Sequence, residues 1–273
     1  MEDSWFEDDS DEDQLDIEES GSETENADSE TSEDDEFDLD EVISRFDDKA
    51  TREERKRTDK FAAIREIWTD FQDNLRTCYT SGSSLTIDEQ LLGFRGKCPF
   101  RRYISKKPDK YGFKFWLCVD TNAYYVFNAF PYVGRQLDQE RQKKVAQNVV
   151  LDLLKPLYGS NRNVTVDNFF TSVSLAKELR TKKFTIVGTL RKNKPEIPIE
   201  FQSNRNRQPD SSLFGFQDNL TLVSFVPKQN KAVLLMSSKY HETFVDKKTE
   251  KPTIILDYNK TNGPVETVNQ MCH

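Results

Sequence analysis

From Asp59 to Tyr79, apolar side chains return at steps of three and four: Phe61, Ile64, Ile67, Trp68, Phe71, Leu75 and Cys78. That spacing predicts a helix with one apolar stripe, suited to packing. The pattern then changes period. Phe113 to Val119 and Ala123 to Phe130 are β-rich and flank Asp120, Thr121 and Asn122, which predicts a hairpin, with a third extended stretch around Tyr132 and Val133. Val145, Val149, Val150, Leu153 and Leu154 share one face of a helix expected from about Asp138 to Lys155, and Pro156 stops it. A short strand at Val164 and Val166 delivers Asp167. A helix N-capped by Ser172 follows, burying Leu175, Ala176 and Leu179, and then a strand from Phe184 to Leu190. Farther on, Leu220 to Val226 and Val233 to Ser238 form two strands joined by a polar turn, and Thr253 to Tyr258 is expected as another.

This order of three strands, helix, strand, helix, strand places the chain in the α/β class. Length adds that 273 residues suffice for one large core or two small ones. Charge changes the picture more. Residues 1–50 hold 24 Asp and Glu against 2 Lys and Arg, a net of −22, whereas the remainder holds 24 acids against 37 bases, a net of +13. The leader, residues 1–45, has too little apolar surface to offset the entropy of ordering and is expected to be disordered. A basic globular part behind an acidic leader suggests a nucleic-acid partner; a Lys-rich solvated surface is the plainer alternative.

Cys78, Cys98, Cys118 and Cys272 show no paired spacing and only two histidines accompany them, so neither a zinc site nor a disulfide framework is indicated. No apolar run is long enough to span a bilayer, and the acidic start is unlike a signal peptide. The expectation is an intracellular protein with no membrane partner.

The stretch VTVDNFFTSVSLAKELRTKKFTIVGTLRKNKPEIP, from Val164 to Pro198, resembles the piggyBac family of transposases along its whole length. IDEQLLGFRG, from Ile87 to Gly96, and KPDKYG, from Lys107 to Gly112, extend the likeness, and RFDDKATRE, from Arg45 to Glu53, resembles the place where the family pattern resumes. The resemblance covers about Arg45 to Cys272. It implies an RNase H-like core (85–194), preceded by a helical remnant (46–84), interrupted by a β-rich insertion (195–256) and followed by a third-acid segment (257–273). Against the family pattern, the helices that normally follow this point and the cysteine-rich zinc-binding end common in the family are expected to be absent from this chain, as is most of the helical DNA-binding region before Phe46.

For function, the resemblance implies strand cleavage and joining of DNA with Mg²⁺, at TTAA targets, by two-metal chemistry. It places the first catalytic aspartate at Asp120, in WLCVDTNAYYV, and the second at Asp167, so the two carboxylates are expected to meet at the middle of the sheet. Taken alone, Asp120 followed by Thr-Asn reads as hairpin-turn chemistry; the flanking likeness favours the metal position. The third position falls on Glu266, where the family has aspartate, and Asn269 stands at a neighbouring acid. Glu266 is also readable as a solvated side chain at a helix start, and an added methylene displaces a carboxylate in a site that tolerates about 0.5 Å of error.

Lys106, Lys107, Lys110, Lys114, Arg191, Lys192, Lys194, Arg205 and Arg207 are the candidate phosphate contacts. The partners expected are DNA, a second copy in a homodimer, and a protein docked on the acidic leader, all in the nucleus. Of three readings, a housekeeping nuclease of the same core is set aside because the DNFFTS segment and the β-rich insertion are specific to the family, which leaves a transposase-derived enzyme, or a remnant or domesticated DNA- or chromatin-binding derivative without catalysis. The second is preferred for this chain alone.

Overall fold

In the computed structural model, residues 47–105, 107–134, 145–192, 194, 197–202 and 206–272 are described. The acidic leader, Lys106, Arg205 and the start of the helix expected from Asp138 lie outside them.

Helix α1 (Lys49–Thr58) opens the described part, with Asp48 accepting from the Ala50 amide as its N-cap. The single helix expected from Asp59 is divided. Asp59 accepts from the Phe61 amide and pairs with Arg65, a 3-10 turn covers Ala62–Ile64, and α2 runs from Arg65 to Thr77. Trp68 stacks on Phe115 with ring centroids 5.2 Å apart, but Ile67 and Phe71 remain exposed, so the apolar stripe is only partly covered.

One sheet organises everything else. Its strands are β1 (Ser84–Gly93), β2 (Arg102–Tyr103), β3 (Tyr111–Asp120), β4 (Val126–Pro131), β5 (Asn163–Val166), β6 (Thr185–Thr189), β7 (Ser212–Gln217), β8 (Leu220–Lys228) and β9 (Lys231–Ser237). The spatial order is β2-β3-β1-β5-β6-β9-β8-β7, with β4 also pairing β3. Strands β1, β3 and β4 are antiparallel neighbours, while β5 and β6 run parallel to β1. This is the RNase H-like arrangement. Its first strand is β1, not β3: the hairpin read as strands one and two supplies strands two and three, and Tyr132 lies just beyond β4.

Between strands, α3 (Val145–Leu154) ends in a 3-10 turn containing Pro156, and α4 (Val173–Thr181) follows β5. Ser172 caps α4 by accepting from the Leu175 amide at 3.1 Å, and Leu175, Ala176 and Leu179 are buried, as their spacing requires. These helices cover one sheet face over Leu85, Ile87, Cys118, Val164, Val166 and Ile186. Each such fully buried aliphatic side chain contributes about 1.5–3 kcal/mol relative to exposure.

Two further helices, α5 (Thr253–Thr261) and α6 (Pro264–Met271), follow β9. The strand expected over Thr253–Tyr258 is therefore a helix. Pro252 precedes its first turn, and Ile254, Ile255 and Thr261 recur on its buried face, a helical spacing that outweighs the β-branched composition. On the sheet face opposite α3 and α4, α6 packs Val265 and Val268 against Leu117, Val119 and Ala129.

The β-rich segment after 195 continues this sheet: β9 pairs antiparallel with β6, Val187 opposite Ser237. Among the described residues no helix is long and apolar enough to cross a membrane.

Candidate active site

Asp167 follows directly on β5. Its main-chain carbonyl accepts from the Thr171 amide at 3.1 Å and from Thr171 Oγ1 at 2.7 Å, and its carboxylate accepts from the Phe169 amide at 3.0 Å. These bonds fold DNFFT into a turn that fixes the aspartate at the strand end. Thr171 is packed against Gly188 of β6, where an added Cβ would lie 2.2 Å from Thr171 Oγ1.

Across the parallel ladder Thr86 pairs with Thr165 and Ile87 with Val166, so the next residue of each strand, Asp88 and Asp167, stands at the same level. Burial, first, and then the charges of Asp88 and Glu89 push the Asp167 carboxyl well above the usual carboxylate range. Asp88 is raised in the same direction, again mainly by burial, with Glu89 and Glu266 adding to the rise and Lys107 opposing it. Lys107 Nζ lies 3.5 Å from the Glu89 carbonyl oxygen. Asp88 thus adds to the proton affinity of Asp167, and two half-buried carboxylates stand side by side.

Asp120 is elsewhere. It sits opposite Leu85, which on its other side faces Val164. Asp120 is thus two strand spacings from β5, roughly 10 Å, and three residues, about another 10 Å, short of the level of Asp167. It also alternates with Trp116 and Cys118 onto the face covered by α3 and α4, whereas Asp88, opposite Leu117, belongs to the α6 face. Its carboxylate accepts from the amides of Gly82 (2.5 Å), Asn122 (2.8 Å) and Ala123 (3.2 Å) and from the Tyr79 hydroxyl (3.2 Å). Burial alone would raise its pKa, but these bonds outweigh it and hold the carboxyl below the usual range. The turn chemistry of Asp-Thr-Asn has won: Asp120 closes the β3–β4 connection.

Glu266 enters from the first turn of α6, and its charge reaches Asp88. Asn269, one turn later, is buried, with its Oδ1 3.4 Å from Gln90 Nε2. The structure therefore brings together Asp88, Asp167 and the field of Glu266. Among the described residues no group of three His, Cys, Asp or Glu side chains is close enough to hold a metal. Tyr258 of α5 adjoins both aspartates; burial, chiefly, with their charges adding, pushes its hydroxyl up to about 12.

Asp88 carries the signal that the sequence reading passed over. Thr86-Ile87-Asp88 repeats the two β-branched residues and aspartate of Thr165-Val166-Asp167, and the two tripeptides are ladder partners.

The expected basic residues divide. Lys107 reaches the Asp88 side. Arg191 Nε donates to Asn168 Oδ1 at 3.3 Å and Lys194 Nζ to the Thr171 carbonyl at 2.6 Å, so both border the Asp167 turn. Lys114 pairs with Glu89 at 2.5 Å while its ammonium lies 4.1 Å from the Trp116 ring centroid. Lys110 and Lys192 are exposed. Arg207 is a correction: it is buried, and it donates to Ser224 Oγ and to the carbonyls of Phe201, Ser211 and Ser224. It ties the turn before β7 to β8 and is not a surface cation.

A profile of the transposase IS4 family matches residues 43–273. The chain belongs to this family, as a piggyBac-type transposase-derived protein. It is 22% identical over 229 residues to the human PiggyBac transposable element-derived protein 3, an alignment covering 78% of this chain and 38% of that protein. Its fold also matches the piggyBac transposase solved by cryo-EM as a synaptic complex with hairpin DNA, at 46% identity and a TM-score of 0.79, over 83% of this chain and 48% of that one. The chain thus spans less than half the length of these relatives.

Proposed function

We propose that this piggyBac-type chain binds DNA in the nucleus and holds a divalent cation between Asp88 and Asp167, without cutting strands as it stands. The observation that carries the proposal is the pairing of these two aspartates on adjacent central strands. The donor set fits Mg²⁺ or Mn²⁺: hard carboxylate oxygens whose mutual repulsion a divalent charge would relieve. Such ions, when bound, activate a water or 3′-hydroxyl and stabilise the leaving oxygen in phosphoryl transfer.

Residues of this chain supply the surroundings. The Thr171 bonds and the tight fit at Gly188 hold Asp167 at the mouth of β5. Lys107, Arg191 and Lys194 border the acids and neutralise phosphates approaching them. Glu266 takes the third acidic position, and Asp120 has no part in the site. Glu266 carries one methylene more than the aspartate expected at that position, in a site that tolerates about 0.5 Å of error, which is why we assign binding rather than cleavage.

The test is strand cleavage on transposon-end DNA with Mg²⁺ or Mn²⁺, comparing this chain with Asp167→Ala, beside DNA affinity over a range of salt. Binding that weakens steeply with salt, and no metal-dependent cutting, is the expected result. Cutting that disappears in Asp167→Ala would overturn the non-catalytic assignment, and salt-insensitive or absent binding would overturn the DNA assignment.

A further inference from the structure

The β2–β3 hairpin carries a surface with no role in holding the sheet's core. Tyr103 and Tyr111 are direct cross-strand partners, with ring centroids 4.8 Å apart, yet they are 56% and 47% exposed. A ring pair whose task was packing would be covered. Here both rings face solvent at the edge of the sheet.

A cation adjoins the pair. The Arg101 guanidinium lies 5.2 Å from the Tyr111 ring centroid and is pinned there, because its Nη1 donates to the carbonyls of Arg95 (2.7 Å) and Gly96 (3.0 Å). Arg95, Lys97 and Lys110 are exposed nearby in the chain. Lys110 has a left-handed backbone (φ 55°), and its carbonyl accepts from the Ile104 amide at 2.7 Å, which closes the loop back on itself. The loop also reaches the acids through Lys107, beside the Glu89 carbonyl, so one hairpin runs from the exposed rings to the edge of the aspartate pair. Along β3, Tyr111 is six residues from Leu117, the partner of Asp88, a distance of about 20 Å.

Exposed aromatic faces beside fixed cations are what an unpaired polynucleotide needs: bases stack on the rings while the cations neutralise its phosphates. A duplex offers phosphates but keeps its base faces covered, so the rings add nothing to duplex binding. We infer that Tyr103 and Tyr111 form a stacking platform for single-stranded nucleic acid leading to or from the aspartate pair. The inference rests on the DNA-binding reading and narrows it to an unpaired strand.

The experiment measures the affinity of the full chain for a fluorescent oligo-dT and for a duplex of the same length, at fixed salt. The variants are Tyr103→Ala and Tyr111→Leu, the second keeping apolar bulk next to Arg101. Expected is a loss on the order of tenfold for oligo-dT in each variant, with duplex affinity changed less than twofold and the melting temperature close to that of the parent. Equal losses for both DNAs, or no loss for oligo-dT in a folded variant, would overturn the platform while leaving DNA binding intact. A parent chain that binds neither DNA would overturn both readings.

Discussion

Ile87 pairs with Val166 across the parallel β1–β5 ladder, and that single register step decides which aspartates meet. One residue further along each strand come Asp88 and Asp167, both half-buried and both protonated more readily than an ordinary carboxyl.

Burial first, and the neighbouring acidic charges second, disfavour the ionised Asp167, so neutralising it is expected to stabilise the fold. For a carboxyl whose folded pKa lies above its unfolded value, the native state binds the extra proton, so stability falls as pH climbs from the usual carboxylate range through the raised values. Without divalent cations, Asp167→Asn is therefore expected to melt a few degrees above the parent at pH 8 and to lose that advantage by pH 4. Thermal melts across this range check it. A variant that melts lower than the parent at pH 8 would show that the charges do not repel.

A cation should act in the same direction. Mn²⁺ at about 100 times its dissociation constant is expected to stabilise the parent by about 2.7 kcal/mol. The Asp88→Asn/Asp167→Asn double variant should show no shift. The response should survive in Asp120→Asn, since Asp120 sits two strands away on the opposite face. Calorimetric titration with Mn²⁺ distinguishes the three proteins.

Asp120 itself matters for stability. Asp120→Ala removes the carboxylate that accepts from the Gly82, Asn122 and Ala123 amides, a cost of about 1.5–3 kcal/mol for hydrogen bonds to a charged group. Its folded pKa is depressed, so its contribution is present above the unfolded value and is lost as pH falls through the folded one. Urea melts of parent and variant should differ at pH 7 and converge in strong acid.

The place of Asp120 also shows how far the sequence carries. The α/β order, the Ser172 cap, the buried face of α4 and the strand leading to Asp167 were legible, because each is local: a period, a cap, a strand end. The β1 strand was not, since LTIDEQLLG alternates poorly and places two acids and a glutamine mid-strand, where a core strand is expected to be apolar. With β1 unread, the hairpin stood in first position, and Asp120, put forward by family likeness although its Thr-Asn neighbours spell a turn, took the place that the β1–β5 register gives to Asp88. Glu266 was placed by family likeness, and its approach to Asp88 is a tertiary fact that depends on α6 crossing β1 and β3. The Thr253–Tyr258 helix was hidden by β-branched residues that suit either structure.

Gly188 tests the support of Asp167. A Cβ there would lie 2.2 Å from Thr171 Oγ1 and 2.9 Å from the Val166 carbonyl. Gly188→Val is expected to cost about 1–3 kcal/mol by overpacking and to weaken the Mn²⁺ response by displacing the Asp167 turn. Urea melts and the same titration read both effects.

Arg207 and Lys192 should part company in salt. Arg207→Ala leaves buried carbonyls unpaired and is expected to cost about 1–3 kcal/mol, yet keep the parent's salt dependence of DNA affinity. Lys192→Ala should leave the fold untouched and lower the slope of log affinity against log salt by about 1 if that side chain meets a phosphate. Melting curves and salt titrations of DNA affinity separate them.

Because β9 bonds directly to β6, the outer three strands share one hydrogen-bonded fabric with the acids. From the β7 margin the ladder runs through β8 and β9 to Gly188, which pairs with Met236 and braces Thr171 beside the Asp167 turn. The border strands and the acids therefore belong to one continuous sheet.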